Sequence, residues 1–412
     1  MILDLFAGPG GWSHALAVLG VRDVGLEWDA WACKTRAAAG QLTIRTDVAA
    51  YPVAPFLGKV TGFIASPPCQ AWSVAGKRLG LVDQPLVHQA VADLAQGRDS
   101  RDQLLAACHD PRSLLAAEPM RYLHALNQHG QPEWIAMEEV PDVLPLWRQY
   151  AAILRTWGFS AWAGILNAAD YGVPQTRRRA ILLASRTRNA GPPVPTHAQR
   201  AEPESLFGPG RIQWVSMAQA LGWGATDRPV PTVCAGGGPG GGPEPFPSGA
   251  RKTLSEARHR GTWMPHPPAN SPANRAPCPA EQAPGTGHPV AGAAPVGWRW
   301  TLRHNSHAHA TVRTVDEPAG TLFFGHRANE CMWRAEPVAP TPPGSVPAPD
   351  PIRITAAEAG VLQTFPADYP WQGNKGQVFS QVGNAVPPRL AAHLLAPHLG
   401  KSLTRDDFAL AA

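Results

Sequence analysis

The stretch Val60-Thr61-Gly62-Phe63-Ile64-Ala65-Ser66-Pro67-Pro68-Cys69-Gln70-Ala71-Trp72-Ser73 decides how the rest of the chain is read. Residues 60–65 form an apolar run of strand length. Pro67 and Pro68 bring no ladder donors, so the strand must stop there. Cys69 therefore falls in a loop at the carboxyl end of a strand, where an open α/β sheet gathers ligands and chemistry. Free cysteine is among the most buried residue types. On this window alone Cys69 is more readily a core residue than a nucleophile, and its neighbours in the fold must decide.

Working outward, the first 190 residues alternate strand-like and helix-like windows. Residues 2–5 form an apolar strand ended by Ala7-Gly8-Pro9-Gly10-Gly11, and residues 12–19 have helical spacing. Residues 24–26, 134–137, 161–166 and 179–184 read as further strands, and 30–39 as a helix. Such alternation predicts an α/β fold, a mostly parallel sheet with both faces covered. Residues 76–110 are polar and weakly periodic, and read as a loop followed by a helix. From 191 to 345 Pro and Gly become dense, and residues 211–345 hold 12 Lys and Arg against 8 Asp and Glu. That surplus of +4 is most of the chain's net charge of +5. This third is read as a smaller loop-rich β domain, with 236–248 and 264–295 as disorder candidates. It also holds His304, His307, His309 and His326. Regular structure returns after residue 346. Thr355 with Glu358 forms a capping box for a helix through Leu362, and an amphipathic helix is expected over 389–399.

The chain has 412 residues, 44% of them hydrophobic, which suits two or three globular domains. No run of about 18 apolar residues is present, so no membrane span is expected. Met1-Ile2-Leu3-Asp4 enters a strand directly, without the basic start of a signal peptide. The six cysteines are scattered, with no Cys-x-x-Cys pair. That argues against a disulfide framework and a zinc cluster, so no metal is expected, and it suits a reducing cytoplasm.

Three constellations carry chemistry. The glycine loop after the first strand (Phe6, Gly8, Gly10) lets backbone approach a ligand closely, yet it is neither Gly-x-Gly-x-x-Gly nor a P-loop. Glu27 and Asp47 close the next two strands. A carboxylate at the first of these places suits ribose hydroxyls and one at the second an adenine amino group, so the ligand is read as adenosine-containing without a pyrophosphate. Next, Cys69 and Glu138 lie past strand ends on the same sheet edge, as a nucleophile and an acid whose proton burial would favour. Finally, in Gln175-Thr176-Arg177-Arg178-Arg179 an extended backbone would put Gln175, Arg177 and Arg179 on one face, toward a base or phosphate. Taken singly, each has a bland reading: a glycine turn, a solvated acidic loop, an exposed basic loop.

Their order along the chain resembles the C5-cytosine DNA methyltransferase family. The matching pieces are Asp4-Leu5-Phe6-Ala7-Gly8-Pro9-Gly10-Gly11, Pro67-Pro68-Cys69-Gln70, Asp110-Pro111-Arg112, Glu138-Glu139-Val140, Gln175 to Arg179, Arg353-Ile354-Thr355 with Glu358, and Gln381 to Pro387. The resemblance implies a Rossmann-like S-adenosylmethionine domain over 1–190, a target-recognition domain over 191–345 and a returning segment over 346–412. It implies that Cys69 attacks carbon 6 of a cytosine flipped from duplex DNA, with Glu138 protonating ring nitrogen 3. Carbon 5 then takes the methyl group. Arg177 and Arg179 lie near the base. Phe6, Gly8, Gly10, Glu27, Asp47, Pro68 and Asn384 serve the cofactor. Gln70, Ser73, Arg78, Gln175, Thr321, Arg303, Arg313 and Arg327 are the candidate DNA contacts, with Thr321-Leu322 preferred over Thr232-Val233 as the recognition pair. The helix after Pro388 is expected to pack where a helix preceding the first strand would lie. The setting implied is a monomer in a restriction-modification or phage context, paired with an endonuclease of the same specificity.

One position departs from the family. Asn is expected after the catalytic Glu, and Glu139 stands there. An ionised carboxylate accepts hydrogen bonds but donates none, and it adds a second negative charge beside Glu138. A working but slower enzyme is expected. A catalytically silent DNA-binding relative and an RNA cytosine methyltransferase are the competing readings.

Overall fold

The computed structural model describes residues 1–72, 79–206, 210–221, 236–237, 243–244, 298–304, 310–322, 331–337 and 352–403. Ser73, Arg78, Thr232, Val233, His307, His309, His326, Arg327 and nearly all of both disorder candidates lie outside these residues. The chain divides into two compact units. Met1–Leu221, Thr301–Arg334 and Pro351–Ala412 make the first, and Gly222–Trp300 with Ala335–Asp350 the second. The first carries the sites discussed below.

Its centre is a seven-stranded sheet built from β1 (Ile2–Leu5), β2 (Asp23–Glu27), β3 (Leu42–Arg45), β4 (Gly62–Ala65), β5 (Trp134–Glu139), β6 (Ser160–Asn167) and β8 (Arg178–Ser185). The two-residue β7 (Gln175–Thr176) lies outside it. The order is β3-β2-β1-β4-β5-β8-β6. Strands β1 to β5 are mutually parallel, and β8 runs antiparallel to both β5 and β6. The chain winds outward from β1 through β2 to β3, then crosses to β4 on the other side of β1. The β1/β4 boundary is therefore a topological switch point, where loops part at the carboxyl ends and open a crevice.

Alternation along each strand builds two cores. Leu3, Leu5, Phe63, Ala65, Ile135, Met137 and Leu182 face one side. They pack there with residues of α3 (Leu79–Ala95), α5 (Glu118–Asn127) and α6 (Leu144–Thr156). Ile2, Ile64, Trp134, Ala136, Ile181 and Leu183 face the other, against α1 (Gly11–Val18) and a C-terminal helix, Pro388–Leu395. Leu390, Leu394 and Leu395 of that helix meet Trp12 and Leu16 of α1.

The elements differ from the sequence reading in three places. Residues 79–107 form two helices, α3 and α4 (Arg101–Ala107), where only one was expected. Weak periodicity hid them because α3 is anchored partly by a polar group. Buried Asp83 accepts hydrogen bonds from the His109 and Asp110 backbone N–H groups and from Ser113 Oγ. Strand β5 continues through Glu138 and Glu139, which pair with Ile181 and Ala180 of β8. The last amphipathic helix starts at Pro388, whose fixed φ suits a first turn, and stops at Leu395, two residues before Pro397. Beyond the large sheet, Thr301, Leu302 and Arg303 run antiparallel to Thr314, Arg313 and Val312, and Met332 and Trp333 to Arg353 and Ile352.

A buried ion pair ties the β1–β3 half of the sheet together. Arg36 of α2 (Ala30–Ala38) is fully buried and sits 3.3 Å from Asp23 on β2. It also donates to Ser13 Oγ and to the Leu42 carbonyl. A Cβ at Gly25 would lie 2.2 Å from its guanidinium, so only glycine leaves room for this side chain. Replacing Arg36 with Met strands Asp23 as an uncompensated buried charge. The expected cost is about 3–5 kcal/mol, read as a lower midpoint in urea denaturation.

Candidate active site

The carboxyl ends of β1, β2, β4 and β5 surround a cavity of about 840 Å³. Among its walls are Phe6, Gly8, Glu27, Asp47, Pro68, Cys69, Gln70, Glu138, Arg177, Arg179 and Asn384. All eleven were singled out from the sequence, so one crevice gathers residues up to 378 positions apart in the chain (Phe6 and Asn384).

The cradle lies over β1 and β2. Phe6 (φ 59°) and Gly8 (φ 53°) both occupy the left-handed region, a strained choice for phenylalanine that bends the chain sharply off β1. A Cβ built on Gly8 meets nothing within 4 Å, so the loop stands open toward the crevice. Glu27 fixes it: Oε2 accepts the Gly8 N–H at 2.7 Å and Oε1 the Asp29 N–H at 2.7 Å. Burial pushes the Glu27 carboxyl up, and those two hydrogen bonds pull it back in part. Asp47 Oδ1 accepts the Ala49 N–H at 2.9 Å. Asn384, at the end of the helix Lys375–Asn384, reaches the same cavity and donates to Ser380 Oγ at 3.5 Å. Gly10 does not line the cavity; it caps α1 with φ 100°.

The reactive end lies over β4, β5 and β8. Pro68 leads into a 3-10 turn, Cys69–Ala71, that holds the half-buried thiol over the cavity. Trp12 Nε1 donates to Ser66 Oγ at 2.9 Å and braces the approach to this turn. Glu138 is 5% exposed, with Oε1 2.9 Å from Arg179 Nε. The two groups are close but not aligned for a hydrogen bond, so Glu138 Oε1 has no hydrogen-bond partner. Glu139 Oε1 and Arg177 Nε are likewise buried without one. Arg177 donates to the Gly383 carbonyl at 3.1 Å. Burial, then the neighbouring Arg179, pull Arg177 down from its ordinary value. Burial, then the Glu139 charge, push the Cys69 thiol up to about 11.

Other expected contacts fall elsewhere. Gln175 does not share a face with Arg177 and Arg179. It is fully buried, accepts the Leu322 N–H on Oε1 at 3.2 Å, and donates to the Leu362 carbonyl at 3.5 Å. The reason is a tight backbone turn, in which the Arg177 N–H bonds the Gln175 carbonyl and breaks the two-residue alternation. Thr321 donates to the Thr176 carbonyl at 3.1 Å, beside the parallel pairing of β7 with Ala319–Gly320. Arg313 pairs with Glu317 at 3.4 Å, and Arg303 lies on strand Trp298–Arg303. None of these lines the cavity. Sequence reasoning also missed wall residues. Trp28, 70% exposed, follows Glu27 directly and was readable from that position. Arg101, Asp102 and Leu105 come from α4, whose place over the crevice no local signal announces.

A glycine cradle lies on one side of the switch point, and a cysteine with an acid and two arginines on the other, in one crevice. The model of the C-5 cytosine-specific DNA methylase family matches residues 1–89, 105–211 and 300–399, and the chain belongs to that family. It is a DNA cytosine-5 methyltransferase. Among its relatives, the Type II methyltransferase M.DdeI of Desulfomicrobium norvegicum is 25% identical over 95% of this chain and 87% of its own. The Type II methyltransferase M.PspPI of a Psychrobacter species is 25% identical over 98% of this chain and 79% of its own. The solved structure of the Entamoeba histolytica methyltransferase EhMeth shares the fold, with a TM-score of 0.52 at 12% identity over 96% of each chain.

Proposed function

We propose that the chain transfers a methyl group from S-adenosylmethionine to carbon 5 of a cytosine flipped out of duplex DNA, through a covalent adduct on Cys69. The observation that carries this is the single cavity in which Cys69, Glu138 and the two arginines face the glycine cradle. The cradle's residues fit the cofactor. Gly8 presents open backbone, Glu27 suits ribose hydroxyls, Asp47 suits an adenine amino group, and Phe6, Pro68 and Asn384 close the wall. When bound, that group supplies an electrophilic methyl. The protein supplies the rest. Cys69 adds to carbon 6, Glu138 gives a proton to ring nitrogen 3, and Arg177 and Arg179 hold the carbonyl edge of the base. Two buried polar atoms without partners, Glu138 Oε1 and Arg177 Nε, match a site whose partner is a polar ring edge. None of these atoms can reach a base inside a stacked duplex, hence the flipping.

Gln70 lies exposed at the cavity wall and suits a DNA contact, with Arg303 and Arg313 as candidates for phosphate or guanine. Recognition is assigned to residues 191–345 between catalytic segments 1–190 and 346–412. The Type II names of the relatives favour a restriction-modification setting, with an endonuclease of the same specificity as counterpart.

Labelled methyl incorporation into duplex DNA tests the reading, and incorporation into RNA but never DNA overturns it. Bisulfite sequencing of DNA from expressing cells reports the target sequence. Glu27→Ala is expected to weaken S-adenosylmethionine binding by about 10- to 100-fold in calorimetry, the loss of charge-assisted hydrogen bonds. Unchanged affinity would move the cofactor away from β2.

A further inference from the structure

We propose that Glu139 accepts the Cys69 thiol proton as sulfur adds to carbon 6 of the cytosine, which gives this chain a built-in base beside its nucleophile. The proposal rests on the covalent reading above.

Alternation along β5 separates the two glutamates. Trp134 and Ala136 face the α1 side, and Glu138 continues their row toward Arg179. Ile135 and Met137 face the opposite core, where Cys69 also packs, and Glu139 continues that row. Glu139 is 2% exposed and lines the cavity. Its Oε2 is engaged by the Val140 N–H, while Oε1 is buried with no hydrogen-bond partner. Among charged groups acting on Cys69, Glu139 has the largest effect, ahead of Arg179, Arg177 and Glu138. The acid for the base and the acceptor for the thiol thus lie on opposite faces of one strand end.

The energetics favour a hand-off over ionisation. Thiolate formation beside an ionised Glu139 is opposed by like charge, and solvent reaches the half-buried thiol poorly. Transfer of the proton from Sγ to Oε1 leaves the total charge of the cavity unchanged. In the step, the S–H bond breaks toward Glu139 and the sulfur pair forms S–C6. The displaced ring electrons take a proton from Glu138 at nitrogen 3. On expulsion of Cys69 a solvent base takes the carbon-5 proton, that C–H pair closes the C5–C6 double bond, and the S–C6 pair returns to sulfur, which regains its proton from Glu139 as nitrogen 3 returns its own to Glu138.

Burial, then Glu138, push the Glu139 carboxyl up to about 8. Below that pH it is protonated and cannot accept; above it, it can. The groups around it are Glu138 on its own strand, Arg177 and Arg179 from the β7–β8 segment, and Cys69 from the turn after β4. The carboxyl's raised value means its stabilising effect falls as pH rises from its ordinary 4.5 to about 8. E139Q therefore folds at least as stably as the parent above pH 8.

Two measurements decide. Alkylation of Cys69 by iodoacetamide, with neither DNA nor cofactor present, should show an inflection near pH 8 in the parent and in Glu139→Asp, and none in E139Q. Single-turnover methyl transfer at pH 8.5 should fall by about 10- to 100-fold in E139Q, in the range of a lost proton acceptor. An unchanged inflection in E139Q overturns the proposal, as does faster methyl transfer in E139Q at every pH. The latter would mean that Glu139 only burdens the thiol. A parent that methylates neither DNA nor RNA would instead overturn the covalent reading, and the alkylation profile would still report on Glu139 and Cys69.

Discussion

Cys69→Ser is expected to reduce single-turnover methyl transfer by at least about 10³-fold, the scale on which removal of a covalent nucleophile is felt. Serine nearly matches cysteine in shape, so the 3-10 turn Cys69–Ala71 and the Pro67–Pro68 approach should stay intact. What changes is acidity and softness. Burial and Glu139 already lift the thiol to about 11, and a hydroxyl in the same place is far harder to deprotonate. Nothing among the described residues compensates, since the two nearby guanidinium groups are shared with Glu138 and Glu139. Binding of S-adenosylmethionine, proposed to rest on the β1–β2 cradle, should be unaffected. Labelled methyl counts in DNA under enzyme excess give the rate, and calorimetry gives the affinity. Retention of a tenth or more of the parent rate would mean that no cysteine adduct lies on the path.

What the sequence disclosed and what it hid follow from how far each signal travels. Residues 67–68 end β4 because proline removes donors locally, and the reading needs no distant partner. The same holds for the Thr355–Glu358 capping box, whose reciprocal bonds form as expected at 3.1 and 2.7 Å. Glu27 and Asp47 were found because strand ends in a parallel sheet point to one crevice whatever the loops do. Asp83 is different. Its partners lie 26 to 30 residues away, so no local signal marks this carboxylate as the buried anchor of α3. Arg36 carries no local sign of burial, and only the space left by Gly25 and the placing of Asp23 explain it. Gln175 failed for a geometric reason: one tight turn at 175–177 rotates it into the protein while its neighbours Arg177 and Arg179 keep to the cavity. Two-residue alternation holds only while the backbone stays extended. Glu139 was recognised as the departure from the family. That it lies on the face where Cys69 packs needed the observed extension of β5 past Met137.

Glu138→Gln separates acid from nucleophile. Gln keeps the length and a hydrogen-bond donor, so it can still engage ring nitrogen 3, but it cannot surrender a proton there. Without that proton, charge from the sulfur attack remains on the ring and the adduct is not stabilised. The expected loss in single-turnover rate is about 10² to 10⁴-fold, the usual range for one general acid. The change also removes the partner 2.9 Å from Arg179 Nε, which leaves a largely buried cation with only the Arg178 carbonyl. That part would appear as lower stability, so thermal denaturation must accompany the kinetics. Two readings distinguish chemistry from collapse of the site. Iodoacetamide should still alkylate Cys69, with the inflection moved to lower pH, because the Glu138 charge that helps hold the Glu139 carboxyl up is gone. Duplex DNA binding in a mobility-shift assay should stay within a few-fold of the parent. If the rate falls by less than tenfold while both controls hold, the proton on nitrogen 3 comes from elsewhere, and Glu138 serves only to hold Arg179 in place.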